Sequence, residues 1–221
     1  MKISIISTTH EHERDGRPRF PMLEHFLRRV KAAGAKHPDH ELLVGCDGDL
    51  RASRRAVEEA GGKFFAFPQR GVYSGGPQRN GVMPSATGDL LWFVDDDDWP
   101  TEDALVTISA VAEAVKAKTP QGKDWARLLL FRMRYRNGDV LWRDEQADEL
   151  LRGVRTWRGH LGTPMVVFPR RWHLLGRWGD QNYSDAEMFE STAAKGWPWP
   201  PLWTPTVTAN VRRQDDRDPW T

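Results

Sequence analysis

The chain has 221 residues, enough for one well-buried unit, and its 32 Lys and Arg against 31 Asp and Glu exclude the charge imbalance of a general nucleic-acid binder. A single cysteine, Cys46, excludes an internal disulfide and a cysteine-based zinc cluster. The longest apolar runs, residues 90–94 and 128–131, are too short to cross a bilayer, and the opening MKISIISTTH lacks the apolar stretch of a signal peptide, so a soluble, cytoplasmic protein is expected.

In chain order, Ile3, Ile5 and Ile6 predict a short strand, followed by a polar loop over residues 8–18. A helical pattern covers residues 20–33 and is expected to end at Gly34. Residues 41–46 read as strand, 51–60 as helix and 63–67 as strand. Such alternation implies a mainly parallel sheet with helices on its faces. A helix-like stretch rich in small residues then leads through Gly88 into the apolar segment 90–94, which runs into Asp95, Asp96, Asp97 and Asp98. Four adjacent acids repel one another unless a cation sits among them. They fall at the carboxyl end of a strand, where open α/β sheets bind ligands.

Pro100 with Glu102 and Asp103 predicts a helix start, and that helix is expected to reach Lys118. Segments 126–135 and 140–142 flank Asn137-Gly138, a hairpin signal. Residues 164–168 read as strand and 184–195 as a helix closed by Gly196. The stretch 197–205, rich in Pro and Trp, is expected to be an ordered loop. Its Trp197, Trp199 and Trp203 suit either sugar stacking or pinning of that loop onto the body. From Gln121 onward basic residues slightly outnumber acidic ones, which mildly favours an anionic partner.

The run containing Arg79, Asn80, Gly81, Ala86, Gly88, Asp95, Asp97 and Asp98 resembles the nucleotide-binding half of the inverting GT-A glycosyltransferases of the family-2 type. The spacing of these anchors carries the resemblance, since a bare D-x-D triplet is common by chance. It implies an α/β GT-A fold, the nucleotide-diphospho-sugar transferase fold, with a mostly parallel sheet and a small antiparallel acceptor-side region. One domain over residues 1–221 is expected, with a donor half in 1–100 and an acceptor half in 101–221.

The same resemblance implies the roles. Asp97 and Asp98 would hold Mn²⁺ or Mg²⁺, and Asp95 and Asp96 would face the donor. Thr8, Thr9 and His10 after the first strand and Asp47 after the second would cup the nucleoside, although the family more often shows Pro-x-Tyr-Asn in place of Thr-Thr-His. Arg79 and Asn80 would also contact the donor. Asp185 stands where the family carries its catalytic acid, between Gly179 and Gly196, and is expected to be the general base, with Glu187 in reserve. His160 and His173 lie in no recognisable ligand spacing.

The implied activity is inverting transfer of a hexosyl group from a nucleotide sugar, a UDP-sugar or else a GDP-sugar, to an acceptor hydroxyl. A glycan, a small molecule or a hydroxymethylated DNA base would serve as acceptor. The absence of Gln-x-x-Arg-Trp argues against a processive polysaccharide synthase. Two alternatives stand: a sugar nucleotidyltransferase, which would carry a Gly-rich loop after the first strand, and a non-catalytic nucleotide-sugar-binding domain.

Overall fold

The computed structural model describes residues 1–11, 18–69, 75–135, 138–141, 162–179 and 184–211. These form a nine-stranded sheet in the order β3-β2-β1-β4-β8-β6-β9-β5, with β7 paired to β6. The first four strands are β1 (Ile3–Thr9), β2 (His40–Asp47), β3 (Lys63–Phe67) and β4 (Leu90–Phe93), all mutually parallel. β1 and β4 are buried along their whole length; β4 reads as a continuous apolar run, whereas β1 interleaves its isoleucines with buried Ser4, Ser7, Thr8 and Thr9.

Helices cover both faces of this half. Period two places Leu42 and Leu43 on opposite sides of β2. Val57 of α2 (Arg51–Glu59) meets Leu42 over Gly62, whereas Gln78 and Val82 of α3 (Gly76–Val82) pack over Gly45 on the Leu43 side. Helix α1 (Phe20–Lys36) packs against α2 and against α4 (Ala104–Lys118).

The second half continues the same sheet. β8 (Val166–Pro169) joins β4 in antiparallel register, Leu91 opposite Phe168. β6 (Leu129–Tyr135) is antiparallel to β8 and parallel to β9 (Leu202–Val211). β7 (Val140–Leu141) closes a hairpin with β6, with Gly138 at φ 88°, a left-handed turn conformation that glycine adopts without strain. Asn137 and Trp142 lie outside the described residues.

Several expectations shift. α1 runs past Gly34 to Lys36, because Gly34 makes room for the His40 ring rather than a helix-ending turn. Pro100 does not open a helix. With Trp99 it forms β5 (Trp99–Pro100), paired to Asn210 and Ala209 of β9, and α4 starts only after Asp103. Residues 202–205 are strand rather than loop. Pro164 sits in a 3-10 turn, Thr163–Met165, ahead of β8. The helix over 184–195 is shorter, α5 (Ser184–Ala193), with Gly196 beyond its end at φ 76°.

The amino end of the sheet carries a buried polar lock. Glu41 accepts hydrogen bonds from Ser4 Oγ at 2.6 Å, Thr87 N at 2.6 Å and Thr87 Oγ1 at 2.9 Å, with Lys2 Nζ 3.8 Å away. Gly88 N donates to Ser4 Oγ at 2.9 Å, and a side chain at Gly88 would strike the Ser4 backbone. Burial works to raise the Glu41 pKa, but the Ser4 and Thr87 hydrogen bonds and Lys2 outweigh it and hold the carboxyl at about 2, below its ordinary value of 4.5. A depressed carboxyl stabilises the fold above its unfolded pKa, and that stability drains as pH falls through the folded value. Glu41→Gln should therefore cost about 2 kcal/mol in urea unfolding at pH 7. The difference from the parent chain should shrink between pH 4.5 and about 2. A pH-independent difference would contradict the charge-based account.

Candidate functional site

The carboxyl ends of β1, β2 and β4 converge on the acids. After Phe93 the chain makes a tight turn, with Asp98 N donating to Asp95 O at 3.1 Å, and this folds the four carboxylates into one locus. Carboxylate oxygens of Asp95, Asp97 and Asp98 lie within 4.8 Å of one another. Oxygen-only ligands at that spacing suit a hard divalent cation such as Mg²⁺ or Mn²⁺. β5 and β9 tie down the far side of the turn, with Thr101 N donating to Thr208 O at 2.9 Å.

Two arginines face the cluster. Arg79, only 3% exposed, pairs with Asp95 and stacks its guanidinium 4.5 Å from the Trp178 ring. Burial draws the Arg79 pKa down to about 10, with Asp185, Asp96, Asp97 and Asp98 pulling the other way, so it stays charged at neutral pH. Arg19, at the N-cap position of α1, makes no capping bond. Its side chain pairs with Asp96 instead, and its Nη2 lies 3.3 Å from Asp97 Oδ1. Asp95, Asp96 and Asp97 thus meet two guanidinium groups, and the carboxylates gathered here outnumber the two arginines that face them.

The predicted residues divide by environment. Asp95 and Asp97 are partly open, with 30% and 27% of their side chains exposed. Asp96 is 1% exposed and its carboxylate is paired with Arg19. Asp47 is buried at the end of β2 and accepts from Gln78 Nε2 at 3.2 Å. Thr8 and Thr9 are buried at the end of β1, and a side chain at the left-handed Gly75 would collide with Thr8. Burial lowers the His10 pKa, Arg19 adds to this, and nearby Asp96, Asp97 and Asp47 only partly offset it, leaving the imidazole neutral at pH 7.

Asn80 engages its side-chain amide within the protein. Its Nδ2 donates to Trp178 O at 2.8 Å and its Oδ1 accepts from Trp178 N at 3.0 Å, so both ends of the amide clamp the segment before α5. Glycines allow the approach: a Cβ on Gly76 would collide with Gly179 O, and one on Gly179 with Glu187. Phe93 meets Trp178 edge-on at 4.9 Å. Asp185 accepts from Ala186 N at 2.8 Å in the first turn of α5. Burial raises its pKa, against the pull of that hydrogen bond and of Arg79. Arg79 is therefore the charge shared between the acid cluster and Asp185.

Arg19, Gln78 and Trp178 are site residues that motif spacing alone does not reveal. Cys46 is buried, and its thiol is pushed up to about 12 by that burial, which removes it as a nucleophile. His173 is exposed on a 3-10 turn, and His160 lies outside the described residues. The indole N–H groups of Trp197 and Trp199 bond backbone carbonyls of Thr192 and Asp124, so these rings pin the chain. A groove of about 370 Å³ opens away from the acids, between the end of α4 and Leu202, but it contains no carboxylate or nucleophile.

A family model described as glycosyl transferase family 2 matches residues 4–118, just over half the chain and the stretch that contains β1 through α4 and all four acids. The chain belongs to glycosyl transferase family 2. No curated protein sequence matches it. Among solved structures, TarS of S. aureus is similar at 15% identity and a TM-score of 0.70, over 96% of this chain and 37% of that one. The S. aureus TarS 1-349 complex with UDP-GlcNAc is similar at 15% identity and a TM-score of 0.68, over 97% and 59%. The mannosyltransferase PcManGT from Pyrobaculum calidifontis, in complex with GDP-Man and Mn²⁺, is similar at 14% identity and a TM-score of 0.58, over 96% and 56%. This family-2 chain thus has their GT-A fold and spans 37% to 61% of the lengths of the TarS structures. None of its helices among the described residues is long and apolar enough to cross a membrane.

If Asn80 serves as a clamp on Trp178, Asn80→Ala should lower the unfolding free energy by about 2 kcal/mol, two hydrogen bonds' worth. Calorimetric binding of UDP in Mn²⁺ should stay close to that of the parent chain. Lost UDP binding with unchanged stability would return Asn80 to the donor-contacting set.

Proposed function

We propose that this chain transfers a glycosyl group from a nucleoside diphosphate sugar to an acceptor hydroxyl in one inverting displacement. The observation that carries the reading is the joint position of the Asp95, Asp97 and Asp98 oxygens, within 4.8 Å of one another, and of Asp185, whose charge acts on the same Arg79. Residues 1–100 form the donor half and 101–221 the acceptor half of one domain.

Asp97 and Asp98 hold Mn²⁺ or Mg²⁺, with Asp95 in reach of the same ion and of the donor. When bound there, the cation stabilises the charge that develops on the departing diphosphate. Thr8, Thr9, His10 and Asp47 lie at the strand ends that cup the nucleoside. A UDP-sugar is the donor, with GDP-sugars as the alternative; the similar structures carry UDP-GlcNAc and GDP-Man.

Asp185 takes the proton from the acceptor hydroxyl as that oxygen attacks the anomeric carbon, and the bond from that carbon to the diphosphate oxygen breaks on the opposite face. A carboxyl whose pKa is raised by burial is a better proton acceptor than an ordinary aspartate, and Arg79 pulls against that rise. The acceptor is a hydroxyl of a glycan, a small molecule or a hydroxymethylated DNA base, in the cytoplasm.

Incubation with a panel of nucleotide sugars and Mn²⁺ should release free nucleoside diphosphate. In Asp185→Asn that release should fall by about a hundredfold or more, with donor binding retained. Formation of pyrophosphate would support a nucleotidyltransferase instead, and binding without turnover a non-catalytic domain.

A further inference from the structure

The motif that the family resemblance singles out leaves Arg19 aside, yet Arg19 lies directly beside Asp97. Its Nε donates to Asp96 Oδ2 at 3.3 Å and its Nη2 pairs with Asp96 Oδ1, so a carboxylate that is 1% exposed fixes one edge of the guanidinium plane. The backbone fixes the residue too: Arg19 N donates to Glu11 O at 3.1 Å, which closes the loop after β1, and Arg19 is the N-cap of α1. Its Nη2 lies 3.3 Å from Asp97 Oδ1.

We infer that Arg19 binds the diphosphate of the donor, exchanging its contact with Asp97 for a phosphate oxygen when a divalent cation takes Asp97; this rests on the donor reading above. Two cations cannot both hold one carboxylate at full strength. As Asp97 turns its charge to the metal, the guanidinium loses a partner on that side, and the nearest replacement is the diphosphate on the same metal. Asp96 keeps the guanidinium in place through the exchange. The planar fork of arginine matches phosphate oxygens, which a lysine ammonium would meet only as a point charge.

The exchange predicts effects of opposite sign. In Arg19→Met, titration calorimetry with Mn²⁺ alone should show about threefold tighter binding, because the competing cation has gone. UDP titrated into the Mn²⁺-loaded protein should bind about tenfold more weakly. Arg19→Lys should keep the weak Mn²⁺ affinity and recover only part of the UDP affinity.

Arg19→Met leaves Asp96 buried without its partner. Should that variant fail to fold, the double substitution Arg19→Met with Asp96→Asn removes both charges and is read in the same way. UDP affinity unchanged from the parent, or both affinities falling together, would overturn the role of Arg19. A parent chain that binds neither UDP nor GDP with Mn²⁺ present would overturn the donor reading itself, and the role of Arg19 with it.

Discussion

The geometry of the site rests on charge balance at the end of one buried strand. β4 is apolar throughout and delivers four consecutive aspartates at its carboxyl end, where close carboxylates repel one another. Arg79 comes to Asp95 from α3 on one side, and Arg19 comes to Asp96 and Asp97 from the start of α1. Each guanidinium is itself held: Arg79 by the Trp178 ring, Arg19 by the closed loop and helix start. Asp96 is thereby enclosed, while Asp95, Asp97 and Asp98 keep carboxylate oxygens within 4.8 Å of one another. Oxygen-only groups gathered this closely suit a hard divalent cation.

Much of this was legible in the sequence, and the rest was not, for identifiable reasons. Buried isoleucines mark β1, apolar runs mark β2 and β4, and an aromatic run marks the partly buried β3, so these strands and the position of the acids could be read within a residue or two. β9 could not, because Leu202, Trp203 and Val207 become strand by pairing with the distant β6, a contact that no local pattern encodes. Pro100 looked like a helix start for the same reason: its strand partner, Ala209, lies far along the chain. At the site, the motif gave the acids and Arg79 but not their allegiances. Spacing cannot show that Asp96 turns to Arg19 or that Asn80 spends its amide on Trp178.

That clamp matters for how the two parts of the chain meet. The family model stops at residue 118, whereas Asp185 lies well beyond it on α5. What joins α5 to the acid cluster is short range: the Asn80 amide on the Trp178 backbone, the Arg79 guanidinium on the Trp178 ring, and backbone against backbone at Gly76 and Gly179. A side chain at Gly76 would force α3 and the segment before α5 apart, and one at Gly179 would strike the Glu187 carboxylate on α5. The approach of the segment before α5 to α3 is therefore set by glycine contacts and one tryptophan rather than by strand pairing.

The sheet also separates its tasks by end. At the amino ends of β1, β2 and β4 the polar groups are satisfied within the protein, with Ser4, Thr87 and Gly88 all turned to Glu41. At the carboxyl ends they are left partly open. Parallel strands force this division, since the crossover helices return every chain to the same edge and gather the strand-end loops at the other. The closed end can then be optimised for stability without disturbing the chemistry. The open end carries a charge deficit that would destabilise a protein lacking such a base, and the Glu41 lock lies far enough from the acids to be independent of whatever ligand fills them.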